Sequence, residues 1–462
     1  MASWPPARTD EQTRAIATWW ARLGTQPDGE IRDALYDRIS LTPDDLALID
    51  TAAFQRLDRV QQLGFVSRIW PGAKHTRFEH SLGVMHLARR AAMRLSQRPN
   101  GGWITLDDIR TVAAAALLHD VGHYPFSHAI EELGPPVLPH EAVGRQLIEE
   151  GELAGTLRDR CQLDPVRVAS LIHGNRFRLP PRDRILFQIL SGTLDVDKLD
   201  YLPRDARACH VPYGGVDTDR LIGALDLATI EAVDQEGDDT RVVVTPKGIS
   251  ALHSLINARQ EMFDNVYWHH TNRTCMVMLL RAVQDALGHE RIAPEELWRL
   301  DDASLLNRLQ AAQMPATTRQ LATALATRDF HKRALEVSNR ALELYGRLGN
   351  LWFDPAARRE VECQLAALLS ERLEREVGEA AVLIDIPKPE KWKSDVWVVY
   401  ERPPVGMREQ MHWKEVVGLD DADFKRYEEH RRLIRIVTRP ELQEVVAAEW
   451  ESLIYPLLGG VF

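Results

Sequence analysis

Apolar and polar positions alternate along most of this chain with the period of a helix. Residues 1–30 read as a helix with polar flanks carrying Trp19 and Trp20, and IRDALYDRISLT (31–42) alternates well enough for a short strand or an irregular extended entry. Phe54, Leu57, Val60 and Leu63 make a helical stripe that Gly64 breaks. After the Pro71-Gly72 turn, Leu82, Met85, Leu87, Ala88, Ala91 and Leu95 rebuild an amphipathic helix whose first turn is Phe78, Glu79, His80 and Ser81. Gly101-Gly102 marks a loop, and Thr105 to Asp108 is a capping-box start for a buried helix. Pro135, Pro136 and Pro139 form a stiff connection ahead of His140, which opens another helix. Residues 189–225 carry Asp195, Asp197, Lys198, Asp200, Arg204 and Asp205 at roughly helical spacing. Taken alone, that segment reads as a solvated face with internal ion pairs. Residues 227–246 read as a β-hairpin around the acidic turn DQEGDD, 249 to about 287 as a helix, and 291–378 as all helix. AVLIDIP, DVWVVY and LIRIVT then supply strands to a C-terminal region. The pattern predicts a mainly α fold: an N-terminal helical extension (1–30), a helical core with a β-hairpin insertion (31–290), a helical region (291–378) and a small α+β region (379–462).

With 462 residues the chain exceeds one simple core. Its 57 Lys and Arg stand against 68 Asp and Glu, a formal charge of −11, which argues against broad electrostatic binding of nucleic acid. An anionic substrate would need a local positive pocket. Cys161, Cys209, Cys275 and Cys363 are scattered without CxxC spacing, so neither a zinc ribbon nor a disulfide framework is indicated and a reducing, cytoplasmic setting is expected. The first residues contain no apolar signal region, and no uncharged run of 18 apolar residues occurs, so neither export nor a membrane span is expected.

Chemistry concentrates in residues 113–128, AAAALLHDVGHYPFSH. Burying a His-Asp pair at the end of an apolar helix is unfavourable unless something compensates, and a metal ion would. His119 and Asp120 can both lean toward one cation as the helix closes, with His123 one turn on from His119. Pro125 turns the chain and frees His128 to point back into the same cleft. His80, His119, Asp120 and Asp197 together offer two imidazoles and two carboxylates from three segments. Such a shell suits a first-row divalent cation with open positions, without selecting Mn, Mg, Fe, Zn or Ni. HEAVG at His140 lacks the second His of a zincin, and there is no GxxxxGK[ST] phosphate loop.

RFEHSLGV, ALLHDVGHYPFSHAIE, a downstream HE, and LDVDKLDYLPRDARACHVPYGGVD, in that order, resemble the HD-superfamily deoxynucleoside triphosphate triphosphohydrolases over roughly residues 31–290. The resemblance implies an HD-domain helical core that cleaves dNTPs to deoxynucleoside and tripolyphosphate. It makes His80, His119, Asp120 and Asp197 the metal ligands. His123 and His128 match histidines of the catalytic pocket, His128 being placed to exchange a proton near the scissile phosphate, and His140 with Glu131 matches a supporting His-acid pair. Arg77, Lys198, Tyr201 and Arg259 match phosphate-binding positions, Asp205 and Tyr267 deoxyribose and base-side positions, and Gln62 with Leu63 the sugar-pocket edge. Asp50, Gln55 and Arg56 resemble contacts to a nucleotide activator. Asp58 stands where the animal enzymes carry an activator-binding Arg, and Phe263 where they carry a His. Activation is therefore expected to differ from the animal pattern, with no GTP-like activator or with a dNTP held by other residues, in a homo-oligomer (tetramer or hexamer). His75, His86, His173 and His253 read as packing or surface histidines, and His269 and His270 as pocket wall or packing alike. Two other functions fit the same residues: phosphohydrolysis of another nucleotide (a monophosphate, a second messenger or a single-stranded end), and non-catalytic nucleotide sensing.

Overall fold

A capping box opens helix α1 (Asp10–Thr25), where the Thr9 side chain accepts from the Gln12 N–H and the Gln12 side chain returns a bond to the Thr9 backbone. The structure, a computed structural model, describes residues 4–230, 239–388, 395–420, 422–423 and 432–458. Strands β1 (Gly29–Asp33) and β2 (Asp37–Leu41) pair as an antiparallel hairpin, so the alternating stretch from Ile31 is two strands rather than one. The stripe from Phe54 to Val60 is buried, in a short helix running into a 3₁₀ turn that ends before Val60. Helix α2 (Arg77–Ser96) begins one residue before the expected first turn of Phe78 to Ser81. Helix α3 (Leu106–Leu118) starts at the Thr105/Asp108 box and is buried from Thr111 through Leu118. Helices α4 (His140–Glu149), α5 (Pro165–His173) and α6 (Val196–Cys209) complete the bundle around α2 and α3.

Strands β3 (Leu225–Ile230) and β4 (Asp239–Val244) form the expected hairpin; most of its acidic turn lies outside the described residues. The stretch from Ile249 is not one helix. A wide turn at Phe263–Tyr267 divides it into α7 (Ile249–Met262) and α8 (His270–Gly288). Helices α9 (Asp302–Gln310) and α10 (Ala316–Thr327) follow. Strand β5 (Lys332–Val337) then interrupts the region expected to be all helix. Lys, Arg, Ala, Leu and Glu favour helix locally, but Arg328 takes a left-handed conformation (φ 68°) that ends α10, and pairing along a neighbouring strand overrides the local preference. Helix α11 (Pro355–Leu373), strands β6 (Val382–Asp385), β7 (Trp397–Val399), β8 (Gln410–His412) and β9 (Ile434–Thr438), and helix α12 (Gln443–Leu458) close the chain.

The sheets join distant segments. One orders β5-β9-β6, all antiparallel, and another orders β3-β4-β7-β8, with β4 and β7 parallel at Val244 and Val398. The hairpin insertion is thus the first half of a four-stranded sheet that the C-terminal region completes. Among the described residues no helix is long and apolar enough to cross a membrane. Apolar side chains gather into three clusters: the α2/α3 bundle, the α8–α10 layer, and the space between α11, β6, β9 and α12.

Gly83 lets α2 and α6 approach. A Cβ there would sit inside contact distance of the Asp200 carboxylate and the Arg204 guanidinium. Gly83→Ala is expected to cost about 1–3 kcal/mol in denaturant-induced unfolding, the range for forcing extra volume into a packed interior. An unchanged unfolding midpoint would show that α6 moves aside freely.

Candidate active site

The bundle brings His80, His119 and Asp197 together from α2, the end of α3 and the first turn of α6. His80 Nε2 lies 3.0 Å from Asp197 Oδ1, and His119 Nε2 lies 3.7 Å from the same oxygen. Both imidazoles are fixed from behind. His80 Nδ1–H donates to Asp200 Oδ2 (2.8 Å) and His119 Nδ1–H to the Ala116 carbonyl (2.7 Å), so each presents the bare Nε2 lone pair to the cluster. His119 Nε2 is buried without a hydrogen-bond partner among the described residues. Two donors bound to one cation by bonds near ~2.1 Å can stand at most about 4.2 Å apart, and the 3.0 and 3.7 Å separations from Asp197 Oδ1 lie inside that limit, so these residues fit a divalent ion. Burial opposes protonation of His80, but the Asp197 and Asp200 carboxylates outweigh it and hold its pKa up at about 10: the cluster draws positive charge.

Asp120 does not join that trio symmetrically. Its Oδ1 lies 3.3 Å from His119 Nε2 and 3.2 Å from His123 Nε2, while Oδ2 accepts from Arg77 Nη1 at 2.5 Å and stands 3.8 Å from His80 Nε2. Burial works to raise the Asp120 pKa, but the Arg77 guanidinium, with His119 and His123, holds the carboxyl well below the usual range. It is the link between two groups of histidines.

The second group is His123, His128, Glu131 and His140. Glu131 Oε1 accepts from both the Nδ1–H (2.5 Å) and the backbone N–H (2.9 Å) of His140, and Oε2 lies 3.4 Å from His128 Nδ1. His123 and His140 stack with centroids 3.8 Å apart and planes 16° from parallel. Two nearly parallel stacked rings aim their in-plane lone pairs along neighbouring planes rather than at one point, and the group sets three imidazoles beside one carboxylate. Burial, with Arg77 and His140 nearby, keeps the His123 pKa well below the ordinary imidazole value. His128 stands at the mouth, its side chain 63% exposed. The turn beneath it follows the expected route past Pro125, with Phe126 and Ser127 both at positive φ (57° and 63°).

Beside the trio, Tyr201 lies edge-on to His80 and to Tyr267, each at 6.4 Å. The Tyr267 hydroxyl donates to Asp205 Oδ2 (2.6 Å), and His75 Nε2 meets Asp205 Oδ1 at 2.7 Å. Lys198 Nζ is bonded to Asp195 Oδ2 and the Gly192 carbonyl. The Arg259 guanidinium lies 5.4 Å from the Phe263 ring. Gln62 and Leu63 are half-buried, and Gln62 Oε1 has no hydrogen-bond partner among the described residues. Of the remaining histidines, His86 packs on Tyr36, and His269 stacks on His270. His173 packs against Gly144 and is pushed down to about 3 by burial, with His140 and His119 adding to it.

Two expectations change. Residues Asp200, Arg204 and Asp205 are buried, not a solvated face, because each finds a partner across the fold. Arg204 clamps Asp200 with two donors and reaches Asp33 Oδ2 (2.8 Å), and the Tyr36 hydroxyl donates to Asp200 Oδ1 (2.8 Å). Those residues brace His80 from the N-terminal hairpin, a role that sequence spacing missed; the only available signal was the surplus of charge on an otherwise apolar helix. Arg56, matched to an activator contact, instead lies buried with its guanidinium on the carbonyls of Leu300, Val121 and His123. Asp50 and Gln55 do stay exposed, Gln55 Nε2 donating to the Ile49 carbonyl. Arg59 turns away from the exposed Asp58 to pair with Asp301 at 2.8 Å.

With this geometry, the family comparisons are direct. The HD domain matches residues 77–205, and the HD associated region matches 216–425. This chain carries an HD domain followed by an HD-associated region. It is 32% identical over 283 residues to an uncharacterized protein of Methanocaldococcus jannaschii, covering 61% of this chain and 55% of the relative. It is 29% identical over 328 residues to the deoxynucleoside triphosphate triphosphohydrolase SAMHD1 homolog of Dictyostelium discoideum, covering 66% of this chain and 60% of that one. The chain thus spans about half the length of the curated relatives it matches. In three dimensions it resembles a hypothetical protein from Aquifex aeolicus with a TM-score of 0.67 at 27% identity, covering 91% of this chain and 99% of that one. The candidate residues from Arg77 to Asp205 lie within the HD-domain match, Arg259 and Tyr267 come from the HD-associated region, and Gln62, Leu63 and His75 precede both.

Proposed function

We propose that this chain hydrolyses deoxynucleoside triphosphates to deoxynucleoside and intact tripolyphosphate, with a divalent metal held by His80, His119, Asp120 and Asp197. The observation that carries the reading is Asp120, whose carboxylate lies within 3.3 Å of His119, His123 and Arg77 and so joins a cation site to a proton-handling group. The deoxynucleoside triphosphate triphosphohydrolase activity for which the Dictyostelium relative is named supports the substrate class. A divalent cation, whether Mn, Mg, Fe, Zn or Ni, would supply positive charge against a phosphoryl oxygen and acidify the attacking water.

The chain's own residues do the rest. Arg77, Lys198 and Arg259 would hold the triphosphate, which brings about four negative charges. Water adds to the α-phosphorus, shedding a proton to solvent, as the bond to the 5′ oxygen breaks, and His128 gives that oxygen its proton, so the products are nucleoside and tripolyphosphate. Glu131 orients His140 and keeps a carboxylate facing His128. Asp205, held by His75 and Tyr267, faces the sugar, and the Tyr201–Tyr267 wall leaves little room for a 2′-hydroxyl. Asp50 and Gln55 are the remaining candidates for contacts to a nucleotide activator in a homo-oligomer.

Incubation with each dNTP, rNTP and dNMP plus Mn or Mg, with products separated by chromatography, tests the reading. Nucleoside diphosphate or monophosphate as the first product would replace it with another phosphatase chemistry. Arg259→Ala is expected to raise KM about ten- to a hundredfold with a smaller change in kcat, the value of one charge-assisted phosphate contact. A kcat loss at constant KM would instead place Arg259 in the chemical step.

A further inference from the structure

The turn that delivers His128 is anchored from outside the HD domain. Its backbone passes through two consecutive left-handed residues, Phe126 and Ser127, a conformation that L side chains adopt only when neighbours enforce it. The enforcing contacts surround it. Asp302, the first residue of α9, accepts the Phe126 N–H on Oδ1 (2.8 Å) and the Gln61 N–H on Oδ2 (3.0 Å), tying the turn to the segment beside the sugar edge. The Ser127 hydroxyl reaches the carbonyls of Gln61 and Gln62, and Arg77 Nε donates to it in turn. Just downstream, Glu132 accepts from Arg273 Nη1 (2.9 Å), and Arg273 also donates from Nε to Asp385 on β6 (2.9 Å). Asp302, Arg273 and Asp385 all belong to the HD-associated region. Both Asp302 and Arg273 are buried.

We propose that Asp302 and Arg273 are positioning residues for proton delivery, holding residues 126–133 so that His128 meets the leaving oxygen. This rests on the reading of His128 as the proton donor. The HD-associated region then completes the catalytic geometry of the HD domain through two polar anchors, one on each side of His128.

Two conservative variants test it. Asp302→Asn keeps the shape, but an amide has a single acceptor oxygen, so one of the two backbone N–H groups faces an NH₂. Glu132→Gln weakens the second anchor and leaves Arg273 on Asp385. Each is compared with His128→Ala and with the unmodified protein on a dNTP and on its analogue with sulfur at the bridging 5′ position, whose thiolate departs without needing a proton. The expected result is kcat lower by about ten- to a hundredfold on the oxygen substrate, KM within about twofold, metal content unchanged, and near-normal turnover of the sulfur analogue. In ¹⁵N-histidine-labelled protein the His128 resonances should shift in both variants while those of His80 and His119 stay in place, a readout that needs no substrate. Equal losses on both substrates, or unshifted His128 resonances with unchanged kcat, would overturn the proposal. Failure of the underlying reading looks different: His128→Ala would then discriminate no better than wild type between the oxygen and sulfur substrates.

Discussion

Asp197→Ala is expected to yield a folded protein that retains little metal and loses roughly a hundredfold or more of its hydrolytic rate. Removing partners that merely orient a metal ligand already costs 10- to 100-fold in affinity or activity, and Asp197 is itself the carboxylate toward which Nε2 of both His80 and His119 is turned. Metal content by elemental analysis and turnover should fall together. Added divalent ion should raise the unfolding temperature of the unmodified protein but not of the variant, because an ion stabilises only the state that binds it. His119→Ala should behave alike, since it deletes Nε2, a buried nitrogen that makes no hydrogen bond among the described residues. Full activity in metal-depleted Asp197→Ala protein would remove the site from the mechanism.

His128→Ala should lower kcat by about 10²–10⁴ while KM moves little, the usual contribution of a positioned general acid. Its side chain is largely exposed, so truncation opens a gap at the cleft mouth that a free imidazole can enter. Added imidazole should therefore restore part of the rate in the variant and none in the unmodified protein. Without such rescue, and with KM rising in place of kcat, His128 would be a substrate contact rather than a proton carrier.

What could be read from the chain beforehand divides along a physical line. The α3 run ending in His119 and Asp120 was legible because helical period, capping box and burial all act within a few residues. The first turn of α2 and the helix opened by His140 were legible for the same reason. Asp200 and Arg204 were not, because the partners that make their burial tolerable, Asp33 and Tyr36, lie more than 160 residues away in sequence. Strand β5 was hidden by residues that prefer helix until β9 is alongside. Arg56 carried the right side chain for an anionic ligand, and only the fold reveals that three carbonyls have taken it.

The hairpin of β1 and β2 bears on how this chain can be dissected. A fragment cut at the HD-domain limits, 77–205, would keep His80, His119, Asp120 and Asp197 yet discard Asp33 and Tyr36 behind His80, Gln61 beneath Ser127, and Asp302 on Phe126. Arg204 would lose its second carboxylate, and Asp200 one of its donors. The matched segment is a unit of ancestry, while a piece that keeps these contacts whole begins at the hairpin and reaches past α9.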